Sequence, residues 1–179
     1  MENRLMGHTV LAIPVPAFET TVRERTAFYD RSFVSADAGF AHAHITVLGP
    51  WVAQPTVDDL AAVAEITSTT TYFDVKLAQL DEFPDGLLHL RPEPDDELRR
   101  LTTRLAARFP AHPPYGGTFT DVVPHLTLDR RSATVTPEAV HARVAHLLPA
   151  TVSVDRIDLQ WWANDDCRLL HTFRLQRDR

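Results

Sequence analysis

The sequence predicts an α+β fold of two related lobes facing each other across a groove. Three observations carry this. Strand and helix patterns interleave along the chain. The order strand, helix, loop, strand occurs twice. Each occurrence ends in His-apolar-Thr-apolar, as HITV at 44–47 and HLTL at 125–128.

The elements follow in order. Residues 9–15 (TVLAIPV) form an apolar run of β type, stopped by Pro16. Phe18, Val22, Tyr29 and Phe33 then recur at helical spacing. Residues 41–51 (AHAHITVLGPW) read as a strand with a turn at Gly49-Pro50. Residues 56–67 read as a helix with Thr56 as N-cap and Asp58 and Asp59 in its positive first turn. Phe73, Val75 and Leu77 alternate with Asp74, Lys76 and Ala78, and residues 87–91 return after the turn Phe83-Pro84-Asp85-Gly86, predicting a hairpin. Residues 95–109 carry the clearest helical stripe, Leu98, Leu101, Leu105 and Phe109, opposite Arg99, Arg100 and Arg104. Residues 112–117 (HPPYGG) are a loop and 122–129 (VVPHLTLD) a strand. Residues 137–148 are a helix, and 152–163 with 169–175 are the arms of a last hairpin around Asn164-Asp165-Asp166.

Composition bounds the function. The chain has 179 residues with a formal charge of −6, enough for one domain of two lobes. A protein gripping a long duplex needs a basic stripe to displace counterions. None is visible, so the expected partner is a small nucleotide or an RNA end. The single cysteine, Cys167, rules out an intrachain disulfide and a Cys-based zinc cage; it reads as a turn residue. Residues 1–10 lack the pattern of a signal peptide, and no apolar stretch approaches the ~20 residues of a membrane span. The expectation is a soluble, cytoplasmic monomer with no membrane contact.

Side chains on a strand alternate faces. His44 and Thr46 therefore share one face, and Ile45 and Val47 the other; His125 and Thr127 share a face opposite Leu126 and Leu128. The apolar residues pack the sheet against its helices, which leaves the His-Thr pairs for chemistry. Two such pairs across a groove suit a phosphodiester. A neutral imidazole takes a proton, an imidazolium gives one to the departing oxygen, and the hydroxyls hold the non-bridging oxygens. The ordinary histidine pKa near ~6.5 makes both forms accessible at neutral pH.

These two motifs, with the order of elements around them, resemble the paired H-x-T-x motifs of the 2H phosphoesterases, most closely the 2′-5′ RNA ligase-like branch that includes cyclic phosphodiesterases. The resemblance implies two antiparallel sheets around a central cleft with helices on the outer faces. It implies action on 2′,3′-cyclic phosphates or 2′-5′ linkages, without metal or other cofactor. Carried onto this sequence, His44 and His125 are acid and base, and Thr46 and Thr127 bind phosphate; which histidine is which stays open.

Around the motifs, Trp51, Tyr115 and Trp162 are candidates for stacking on a base, and Arg130, with Arg131, for clamping phosphate. Trp51 and Tyr115 also fit simple packing. Trp162 shares parity with Asp158 and Gln160 on the polar face, whereas Trp161 sides with Ile157 and Leu159 in the core. His42 has the parity of His44 and is expected at the groove edge. His8, His89, His112, His141, His146 and His171 are expected on the surface. Two other readings compete: a metal-dependent hydrolase using His42, His44, His125 and Asp129, and a non-catalytic nucleotide or RNA-end binder. The first gives the threonines no role; the second does not need both imidazoles.

Overall fold

The computed structural model describes residues 7–177. Residues 1–6, which make up most of the segment considered above for a signal peptide, lie outside them. Among the described residues the strands are β1 (His8–Pro14), β2 (His44–Leu48), β3 (Phe73–Glu82), β4 (Leu87–Glu93), β5 (Leu126–Arg130), β6 (Ala150–Val154), β7 (Arg156–Trp162) and β8 (Arg168–Arg174). The helices are α1 (Glu19–Tyr29), α2 (Val57–Ser68), α3 (Asp96–Arg108) and α4 (Pro137–Val144).

The class is α+β, as expected, but the strands form one antiparallel sheet of order β6-β3-β4-β5-β2-β1-β7-β8 rather than two. The seam is narrow. β2 and β5 meet at a single registered pair, Ile45 opposite Leu126, which joins two four-stranded halves. Each motif strand would otherwise present an open edge, and this pairing covers part of it. The repeat is present as β1-α1-β2 and β4-α3-β5, each an antiparallel neighbouring pair joined through a helix.

The core lies between the sheet and α2, α3 and α4. The α3 stripe is buried as predicted, with Leu98, Leu101 and Leu105 no more than 2% exposed. The Thr102 hydroxyl ties α3 to β2 by donating to the Val47 carbonyl at 2.9 Å. Thr56 caps α2 in a reciprocal capping box with Asp59. α1 departs from the expected arrangement. It has no buried residue; Val22, Arg25, Thr26 and Tyr29 form a wall of the cleft instead of an outer layer.

The predicted arm 152–163 is two strands broken at Asp155. β6 pairs with β3 at one end of the sheet, and β7 pairs with β1 in the other half. The Asp155 carbonyl accepts from the Leu175 amide, and its carboxylate meets Arg174 and Arg156. The apolar parity also switches there, from Val152 and Val154 to Ile157 and Leu159. No helix among the described residues is long and apolar enough to cross a membrane.

Candidate active site

The site is built on the seam. In the antiparallel register around Ile45 and Leu126, His44 lies alongside Thr127 and Thr46 alongside the His125 position. The two motifs are thus related by a local pseudo-two-fold. Ile45, Val47, Leu126 and Leu128 are buried, none above 3% exposed, which anchors the opposite face. The predicted strand 122–129 begins only at Leu126, so His125 immediately precedes β5. Pro124, just before it, has no N–H to donate to a ladder.

Both imidazoles are held in the same way. The His44 Nδ1–H donates to the His42 carbonyl at 2.8 Å, and the His125 Nδ1–H to the Val123 carbonyl at 2.8 Å. Each bond reaches back two residues, fixes the ring and leaves Nε2 as the nitrogen available for chemistry. Burial holds both pKa values below the ordinary 6.5. The carbonyl bonds oppose this in part, while His125 adds to the depression at His44 and His89 to that at His125.

His44, Thr46, His125 and Thr127 line one cleft of about 470 Å³. Trp162 lines it too, its ring centroid 5.5 Å from that of His44; it is steadied by donating its indole N–H to Gln160 at 3.1 Å. Tyr115 stacks toward His125, with centroids 6.3 Å apart and planes 19° from parallel. Its φ of +51° is uncommon for a residue with a side chain and belongs to a tight turn, in which the Tyr115 amide donates to the Gly49 carbonyl at 2.7 Å. Burial raises the Tyr115 phenol pKa, with Thr46 opposing. Arg130 reaches the cleft edge, but its guanidinium donates to Asp85 of the β3–β4 turn. Arg131 forms an ion pair with Glu82.

Two expectations are corrected here. Trp51 is 3% exposed and packs edge-on against Phe109 in the core, so it is not a stacking surface for substrate. His89 is not on the surface; it is 1% exposed, with its ring 5.4 Å from that of His125. Sequence parity could not find it, because its position depends on the β4–β5 register, which sets it opposite Thr127.

His42 is buried beside the cleft and committed on both nitrogens. Nδ1 meets Glu19 at 2.6 Å, and Nε2 accepts from the Ser35 amide at 3.0 Å. Asp129 is equally engaged. It takes Arg25 at 2.6 Å and Arg143 at 3.0 Å, the Tyr29 hydroxyl and the Arg130 amide. Burial alone would raise its pKa, but these four partners outweigh it and bring the value below the ordinary range. Of the four groups the metal reading needs, two are thus already bound by protein. Glu19 at one end of α1 and Arg25 with Tyr29 at the other make that helix a strap between the halves.

The family model of the 2′-5′ RNA ligase superfamily matches residues 14–166. A search of curated proteins gave no match. Solved structures share the fold. E. coli LigT complexed with 3′-AMP superposes with a TM-score of 0.54 at 18% identity, over 95% of this chain and 98% of that one. TT0787 of Thermus thermophilus gives 0.58 at 16% identity, over 96% and 100%. A structure described as a phosphoesterase gives 0.55 at 17%, over 94% and 98%. LigT has also been solved with ATP and with NADP+, each matching with a TM-score of 0.54 at 17% and 16% identity, over 94% of this chain and 98% and 97% of those chains.

Proposed function

The chain belongs to the 2′-5′ RNA ligase superfamily, and on that premise we propose that it opens a 2′,3′-cyclic phosphate or a 2′-5′ phosphodiester at a nucleotide or RNA end, using His44 and His125 as acid and base. The observation that carries this is the matched pair of Nδ1–carbonyl bonds, which present two Nε2 atoms from the two halves of one cleft.

Hydrolysis of a cyclic phosphate then needs two proton transfers. One neutral Nε2 takes a proton from water as the water oxygen bonds to phosphorus. The other imidazolium gives its Nε2 proton to the ribose oxygen as the P–O bond breaks. The Thr46 and Thr127 hydroxyls donate to the non-bridging oxygens, where negative charge grows. The reverse traffic of protons serves ligation. A cleft of about 470 Å³ suits a nucleotide end, and the nucleotides bound in LigT structures support a small nucleotide as ligand. The net charge of −6 argues against a long duplex.

The test is a screen of 2′,3′-cyclic nucleotides, 2′-5′ dinucleotides and RNAs with cyclic phosphate ends in excess chelator. Turnover that persists, and is lost in His44→Asn and His125→Asn, supports the proposal. Turnover abolished by chelator and restored by a divalent cation supports the metal-dependent reading instead. Tight nucleotide binding with no turnover supports the binder.

A further inference from the structure

We propose that His89 is a positioning residue for His125: clamped under Phe83 and set edge-on to the His125 ring, it fixes that imidazole and makes the two motif histidines chemically unequal. This rests on the reading of His125 as an acid–base group.

The seam is symmetric, but the strands flanking it are not. On β4, His89 is registered opposite Thr127 and so shares the groove face with it. The corresponding neighbour of Thr46 on β1 is Ala12. One half therefore places a methyl group where the other places a third imidazole. His89 stacks on Phe83, with centroids 3.8 Å apart and planes 17° from parallel, and meets His125 at 69°. Phe83 itself stands edge-on to His125 at 5.0 Å. Two rings thus close on one side of His125 while the Val123 carbonyl holds its Nδ1.

His89 has its own anchor, an Nδ1–H donated to the Leu87 carbonyl at 3.1 Å. That leaves Nε2 as the lone-pair nitrogen, buried and without a hydrogen-bond partner among the described residues. A proton there would be a buried charged N–H with no acceptor, so protonating this ring is disfavoured. Burial lowers its pKa, with Asp81 and Asp85 opposing and Arg91 assisting. The polar groups facing His125 are His89 from β4, Asp85 from the β3–β4 turn, Tyr115 from its loop and His44 from β2. Of these, His89 depresses the His125 titration and Asp85 raises it. Removing His89 takes away that depression and some of the burial together, and both changes raise the His125 midpoint. His44, across the seam, keeps its contacts and feels the change only through the charge on His125, which lowers its titration.

The experiment is an NMR titration of the histidine imidazoles in the full chain, paired with kcat and KM on a 2′,3′-cyclic nucleotide. His89→Asn keeps a side-chain N–H for the Leu87 carbonyl and removes the ring. His89→Phe keeps the stack on Phe83 and removes the nitrogens. In H89N the His125 midpoint should rise by about half a unit or more while that of His44 does not rise. One limb of the pH–rate profile moves with it, and kcat falls about tenfold with KM nearly constant. In H89F the midpoint also rises, but kcat stays within about threefold of the parent because the ring clamp survives. A His125 midpoint unmoved in either folded variant overturns the proposal, as does a His44 midpoint that rises as far. The titration needs no substrate. A protein that turns over none of the substrates above therefore overturns the functional reading, while the His89 proposal is still decided by the resonances.

Discussion

Ile45 stands directly opposite Leu126 at the seam of the sheet, and each is the residue that follows a motif histidine. A single backbone pair therefore sets the relative placement of both imidazoles and both threonines. Its two side chains are almost wholly buried, so a slip of register would turn an apolar core face into the cleft. The chemistry is held by packing on the far side of the strands.

The two histidines are expected to act as a unit. His44→Asn and His125→Asn should each lower kcat/KM by about 10²–10⁴-fold. The double variant should fall little below the worse single one, because either loss disables the same proton traffic. Steady-state kinetics on a cyclic nucleotide decide this; strictly multiplicative losses would contradict a paired mechanism.

The threonines should act through their hydroxyls. Thr46→Val and Thr127→Val keep the shape and remove a donor to phosphate, and each is expected to cost on the order of 10²-fold in kcat. Circular dichroism and Tm should change little. Full activity in both variants would remove phosphate stabilisation from their role.

The pH dependence follows from the direction of the shifts. Both imidazoles sit below 6.5 in the free protein, so the bell for kcat/KM should peak on the acid side of that value. A bound phosphate anion favours the protonated rings, so the bell for kcat should lie at higher pH than that for kcat/KM. The same depression has a sign for stability. The unfolded chain binds more protons, so the stabilisation from neutral burial is complete above 6.5 and fades as pH falls through the lowered values. Denaturation at pH 7.5 and pH 5 should show this loss, and H125N should reduce it.

Asp129 should matter for stability. Its carboxylate is buried among Arg25, Arg143 and Tyr29, and Asp129→Asn leaves those groups facing an uncharged amide. Breaking a buried ion pair costs about 3–5 kcal/mol; since both arginines keep some solvent contact, about 2–3 kcal/mol is expected. That corresponds to a Tm roughly 5–10 °C lower. KM should also rise, because α1 loses its hold on β5. A denaturant midpoint close to that of the parent would show the cluster to be dispensable.

The sequence carried what period and repetition can carry. Leu98, Leu101 and Leu105 announced their helix, Thr56 its cap, and parity sorted Trp162 into the cleft. It could not carry what depends on which strands pair. His89 is unremarkable until β4 lies beside β5. Trp51 follows the motif in sequence yet turns away from the cleft toward Phe109. The break at Asp155 was hidden because apolar residues alternate on both sides of it, and only the phase changes. The spacing of α1 does not tell its place, because a helix walling a cleft and one covering a sheet both need apolar residues at the same spacing.

The nested order of the sheet bears on how the chain is made. Residues 73–154 supply β3 to β6, one entire half, without interruption. The other half takes β1 and β2 from before that block and β7 and β8 from after it. On a ribosome the inner block can pair its own strands as soon as it emerges, whereas β1, paired with β2 and the first histidine, gains its second neighbour only when β7 arrives. Translation would thus complete the half bearing His125 first, and the cleft would close only when the last strands are synthesised.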